Sequence, residues 1–190
     1  MIRHGQTDWN KTGKLQGQRD IPLNGLGRDQ ARRNGRRLKQ LIDEHPEFAK
    51  ASWVASPLSR TRETMTLVLD PLGLTLDDVV LEPALMEVSF GEWEGFDLNE
   101  VARRDAAGYR ARKDNRWEAV PPGGESYAQL ATRVRKWAET ITGTTVAVAH
   151  GGVIRVMLAM TRGTTDGIFG KAPPHQDRIL LFADGEHQWL

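Results

Sequence analysis

The stretch TTVAVAHGGVIRVMLAMT, residues 144–161, narrows the fold more than any other part of the sequence. Its first part, TTVAVA, is almost wholly apolar and lacks polar alternation, the pattern of a strand covered on both faces. Its second part, GGVIRVMLAMT, reads as a helix that begins at once, with no room for a hairpin. A doubly covered strand running straight into a helix belongs to an α/β domain with a mostly parallel sheet. Such sheets bind ligands beyond the carboxyl ends of their strands, which puts His150, Gly151 and Gly152 where a ligand would be met.

Other segments alternate in the same way. In LGRDQARRNGRRLKQLIDEH, residues Ala31, Gly35, Leu38, Leu41 and Ile42 share one helical face, with Asn24 placed to cap it. SWVAS is a short strand stopped by Pro57, and LSRTRETMTLVLDPLG follows as a helix. The segment LEPALMEVSFGEWEGFD reads as a break, Leu98 to Arg112 as mixed helix, and Glu125 to about Thr140 as a helix with Leu130, Val134 and Trp137 on one face. RILLFADGEHQWL closes the chain as a hairpin around Asp184-Gly185. A chain of 190 residues is expected to form a single domain, residues 1–190.

Composition removes several function classes. There is no cysteine, so thiolate nucleophiles, disulfide scaffolds and cysteine-ligated metals are out. Lys plus Arg number 26 against 25 Asp plus Glu, so no bulk field draws the chain to nucleic acid, and the Arg-rich run from Arg28 to Lys39 reads as a solvated face. No apolar run approaches the roughly 18 residues that span a bilayer, and no secretion signal is legible. A cytoplasmic protein without membrane or nucleic-acid partners is the expectation.

Three segments carry chemistry at strand ends: Arg3-His4-Gly5, Ser56 to Arg60, and His150-Gly151-Gly152. Together they would gather two imidazoles and at least two guanidiniums in one crevice. Guanidinium binds phosphate bidentately and keeps its charge, so a phosphoryl group suits this set. Each residue alone has an ordinary structural explanation. Arg60, for instance, could pair with Glu63 or Asp70 along its helix. His45, His175 and His187 lack such context and read as structural or surface residues.

RHGQT, SPLSRTRET, LMEVSFGEWEG, PGGES and AHGG occur in an order that resembles the histidine phosphatase superfamily, the phosphoglycerate mutase-like enzymes, over nearly the whole chain. The resemblance implies a three-layer α/β/α sandwich with a mostly parallel central sheet. It further implies that His4 is a nucleophile phosphorylated on a ring nitrogen and that Arg3, Arg60 and His150 surround the phosphoryl oxygens. Glu87 would then be the general acid, with Asn10, Gln16, Gly17 and Gly151 lining the substrate pocket. Phosphoryl transfer needs in-line positioning and charge compensation above all. His4 must be neutral to attack, and nearby arginines disfavour a second proton on it. No metal or other cofactor is required by such a site.

The implied activity is that of a phosphomonoesterase acting on a small phosphorylated metabolite and releasing inorganic phosphate. The alternatives are a cofactor-dependent phosphoglycerate mutase and a catalytically silent phosphate-binding module. Mutases resembling this family carry a longer segment before the GES motif and an asparagine after the second HG. Here only Val88 to Gly124 intervenes, and Gly152 occupies the asparagine position. Specificity is expected from Phe96 to Trp117 and from Pro173 to Gln176, and a homodimer is left open. Relatives also carry a fuller apolar strand before RHG than Met1 and Ile2 supply. The expectation is therefore either a chain that begins late or a different segment supporting His4.

Overall fold

The computed structural model describes residues 1–170 and 173–190. Its central sheet has four parallel strands in the order β1 (Ile2–Arg3), β4 (Thr145–Ala149), β2 (Ser52–Ala55) and β3 (Val79–Leu81). TVAVA therefore sits inside the sheet, as its apolar pattern requires. Successive side chains on these strands point to opposite faces. On β4, Ala147 and Ala149 enter one core while Val148 enters the other; on β2, Val54 faces the first and Trp53 and Ala55 the second.

Helices α2 (Gly25–Glu44) and α3 (Ser59–Leu69) cover the second face through Leu38, Leu41, Met65, Val68 and Leu69. Helices α6 (Tyr127–Ala138) and α7 (Gly151–Arg162) cover the first through Leu130, Val134, Val153 and Val156. This is the three-layer architecture expected. The connections from the adjacent strands β1 and β4 thus leave toward opposite faces, the arrangement that opens a crevice at the carboxyl edge of a parallel sheet.

The first strand is supported from both sides. Ile2 pairs with Val148 of β4, and across its other edge it forms an antiparallel bridge to Ile179. The Leu180 amide donates to the Met1 carbonyl at 2.8 Å, at the start of the hairpin formed by β5 (Leu180–Ala183) and β6 (Glu186–Trp189). His4 continues the ladder by donating its amide to the Ala149 carbonyl at 3.0 Å. The hairpin thus flanks the opening strand on the edge away from β4.

Three local features differ from expectation. Strand β3 lies in a stretch with no evident strand signal, because it is a three-residue edge strand whose Val80 is exposed. The mixed helical stretch divides into α4 (Leu98–Arg104) and α5 (Ala106–Asp114) at Asp105, whose carboxylate caps α5 through Gly108 and also accepts the Trp93 indole N–H at 3.0 Å. The loop after RHG contains a four-residue helix, α1 (Asp8–Lys11), started by a Thr7–Asn10 capping box. None of the described helices is long and apolar enough to cross a membrane.

Candidate active site

His4 leaves the end of β1 almost fully buried. Its Nδ1 lies 2.8 Å from the Gly5 carbonyl oxygen. A carbonyl can only accept, so Nδ1 carries the proton and Nε2 is left with the lone pair. The backbone here is pinned: the Gly5 amide donates to Thr64 Oγ1 at 3.1 Å, and a Cβ on Gly5 would lie 2.1 Å from the Gly27 carbonyl oxygen. Gly5 is needed because the first turn of α2 packs directly on its backbone.

His150 ends β4 and caps α7. Its ring centroid is 5.1 Å from that of His4, and its Nε2 lies 2.7 Å from Ser56 Oγ. Burial pushes both imidazoles well below the ordinary histidine range; the charge of Arg60 is the next cause for each, and Arg3 adds to it. Burial thus outweighs the arginines that the sequence brought forward, though both act in the same direction.

Arg60 on α3 is completely buried, and its two terminal nitrogens donate to the Arg19 and Gly17 carbonyls at 2.7 and 2.8 Å. It does not pair along its helix: Glu63 binds Arg28 instead. Arg3 donates to the Pro174 carbonyl at 2.7 Å, and burial pulls it down to about 10. Arg3 Nε, Arg60 Nε and His150 Nδ1 are buried nitrogens without a hydrogen-bond partner among the described residues. Buried polar atoms are normally satisfied, so three orphans on the residues next to His4 mark a place where an anion could be accepted.

Glu87 faces the crevice from the loop that follows β3. Its Oε1 accepts from the Gly152 amide at 2.9 Å and from its neighbour Val88 at 3.0 Å. Oε2 has only the longer Gly152 contact, 3.2 Å, and is the freer oxygen to carry a proton. The loop is held by Arg133, which donates to the carbonyls of Ala84 and Glu87 and grips Glu125 through two contacts of 2.9 Å. The glutamate of GES therefore acts on Glu87 through Arg133.

The remaining expected residues divide. Asn10 accepts at its side-chain oxygen from the Thr7 amide and from Gln176 Nε2. Gln16 is buried against Thr7, and Gly17 directs its carbonyl at Arg60 rather than into the crevice. Gly151 packs beside the Arg3 guanidinium. Sequence reasoning assigned no role to Thr64 or Arg155, and it placed Ser56 in a chemistry-bearing segment and Gln176 in a specificity loop without giving either a particular task. Thr64 had a signal, lying one helical turn after Arg60. The contact Gln176 makes had none: it reaches across 172 positions to donate to the His4 carbonyl.

A buried neutral imidazole ringed by guanidiniums, at the carboxyl edge of a parallel sheet, defines an α/β phosphoryl-handling enzyme. Residues 1–185 match the histidine phosphatase superfamily (branch 1), and the chain belongs to that family. It is 32% identical over 174 residues to a 2,3-bisphosphoglycerate-dependent phosphoglycerate mutase of Methylorubrum populi, covering 87% of this chain and 79% of the relative. Among solved structures it is similar to a mycobacterial glucosyl-3-phosphoglycerate phosphatase in complex with VO3, at TM-score 0.75 and 26% identity over 94% of this chain and 88% of that one. The fold is also that of the α-ribazole phosphatase from Shigella flexneri, at TM-score 0.79 and 24% identity over 100% and 92% of the two chains.

The neutral histidines make stability pH-dependent. In the unfolded chain each would take up a proton near pH 6.5, whereas in the folded chain it resists until well below that. The unfolded state then binds more protons, so stability is fully present above about 6.5 and falls with acid, by up to about 1.4 kcal/mol per pH unit for each histidine. Urea unfolding from pH 7.5 to 5.0 should therefore be flatter in His150→Asn than in the wild type. Parallel curves would contradict a neutral buried His150.

Proposed function

We propose that the chain is a metal-independent, cytoplasmic phosphomonoesterase that acts on a small phosphorylated metabolite through a phosphohistidine. His4 Nε2 attacks phosphorus and the bond to the alcohol oxygen breaks. Glu87 passes a proton to the departing oxygen while Arg3, Arg60 and His150 hold the phosphoryl oxygens. Water then attacks the phosphohistidine, yields its proton to Glu87, and inorganic phosphate leaves. The observation that supports this best is the trio of buried, unpartnered nitrogens around a neutral His4 with a free Nε2.

A mutase is the second reading, supported by the relatives that carry that name. Gly152 argues against it. A Cβ at this position would lie 2.2 Å from Glu87 Oε1, so the asparagine of the mutase pattern does not fit with Glu87 where it stands. Offered 3-phosphoglycerate with its bisphosphate activator, the protein should at most release inorganic phosphate, and a chelator should leave turnover on phosphomonoesters unchanged. Rapid formation of 2-phosphoglycerate would establish the mutase, and loss of turnover with EDTA, restored by a divalent ion, would end the metal-free scheme.

A further inference from the structure

Ser56 follows β2, is wholly buried, and carries a hydroxyl that the proposed chemistry does not use. Its backbone is fixed on both sides: the amide donates to the Val148 carbonyl at 3.1 Å, and the carbonyl accepts from Thr61 Oγ1 at 2.8 Å. The hydroxyl meets one atom, His150 Nε2, 2.7 Å away, and has no other hydrogen-bond partner among the described residues. The other ring nitrogen of His150, Nδ1, is buried and equally without a partner, and the ring stands 5.1 Å from that of His4.

A neutral imidazole carries one proton, so the two tautomers of His150 can be compared atom by atom. With the proton on Nε2, the ring donates to Ser56 Oγ. The serine proton then lacks an acceptor and Nδ1 is a bare lone pair, which leaves two unsatisfied groups away from water. With the proton on Nδ1, the hydroxyl donates to Nε2 and only the Nδ1 N–H waits for a partner. Each buried polar group left unpaired is costly, so the second arrangement is favoured. It is also the one that suits an anion, because Nδ1–H donates to a phosphoryl oxygen whereas a lone pair repels it. His4 shows the opposite polarity. The Gly5 carbonyl, which can only accept, keeps the His4 proton on the nitrogen it faces and leaves the far one bare.

We propose that Ser56 is a positioning residue that sets the tautomer of His150, so that an uncharged ring presents an N–H at Nδ1 to the phosphoryl oxygens. The paired histidines then divide the work: one offers a lone pair to phosphorus, the other a donor to its oxygens. This deepens the phosphomonoesterase reading and rests on it for the ligand, whereas the tautomer is a property of the ligand-free protein.

The test begins with the wild type. Long-range nitrogen–proton correlation spectra of isotope-labelled protein at neutral pH should show His150 protonated at Nδ1 and bare at Nε2, its signals being those lost in His150→Asn. Protonation at Nε2 would overturn the proposal and leave the phosphatase standing. Ser56→Ala should lose the pure Nδ1–H form, bind inorganic phosphate about tenfold or more weakly, and lose kcat/KM by a similar factor, the scale of a hydrogen bond to a charged group. The loss should be the same on an alkyl phosphate and on p-nitrophenyl phosphate, because His150 serves the phosphoryl oxygens and not the leaving one. Ser56→Thr keeps the hydroxyl and should restore tautomer, affinity and rate. The wild-type spectrum and the alanine variant decide even if the added methyl is not accommodated. An alanine variant of unchanged phosphate affinity, or one that loses affinity with the proton still wholly on Nδ1, would overturn the role. If no phosphomonoester is hydrolysed, Nδ1–H in the wild type with weakened phosphate binding in Ser56→Ala keeps the proposal while the hydrolase reading falls.

Discussion

Replacing His4 by alanine is expected to reduce turnover on every phosphomonoester by about 10⁴-fold or more, the scale on which losing a covalent nucleophile is felt. The geometry makes the loss specific to chemistry. Nδ1 is held by the Gly5 carbonyl at 2.8 Å, so Nε2 alone can attack, and burial with Arg60 and Arg3 keeps the ring unprotonated. The alanine variant keeps the buried arginines and should still bind inorganic phosphate. Brief reaction of the wild type with labelled ester should leave label on His4, stable in base and lost in acid as phosphoramidates are. Label on a serine or carboxylate of an active preparation, or a His4→Ala protein of normal rate, would eliminate the covalent mechanism.

Glu87→Gln should show the second largest effect, and its size should depend on the leaving group. An alkoxide leaves poorly without a proton, so general acid catalysis predicts a loss of about 10²- to 10⁴-fold on alkyl phosphates. A nitrophenolate is stable as an anion, so the phosphorylation step on p-nitrophenyl phosphate should lose far less. Single-turnover measurement is needed, because slow hydrolysis of phosphohistidine would otherwise hide the difference. Glutamine keeps an oxygen for the Gly152 and Val88 amides that hold Oε1 at 2.9 and 3.0 Å, so the loop should stay in place. Equal losses on both esters would make Glu87 a binding group. Glu92 and Glu94 lie in the same loop, but Glu94 is engaged by the Gln18 and Phe90 amides. Crippling by Glu92→Gln, with no effect at Glu87, would move the acid along the loop.

Much of the candidate site was legible because its residues lie in short contiguous motifs at strand ends. Arg3, His4, Arg60 and His150 each follow or lie near a readable strand, and the parallel sheet brings those ends together. Arg133 and Gln176 were not legible in their roles. They act through backbone carbonyls at Ala84, Glu87 and His4, and any donor of suitable reach can serve a carbonyl. Strand β3 was missed for a related reason. An exposed edge strand lacks the two-faced apolar pattern that exposes a central one.

The sequence by itself determined most of the elements, their order and which side chains are candidates for the reacting groups. Periodicity, caps such as Asn24 and Ser126, and local residue chemistry depend on neighbours a few positions away. Only the tertiary structure decided the state of those side chains: which nitrogen of His4 is free, that both imidazoles are neutral, and which oxygen of Glu87 is held. Protonation and tautomer depend on desolvation and on charges contributed from opposite ends of the chain. Arg60 lies 56 positions from His4, yet its charge stands second only to burial in keeping the His4 ring neutral.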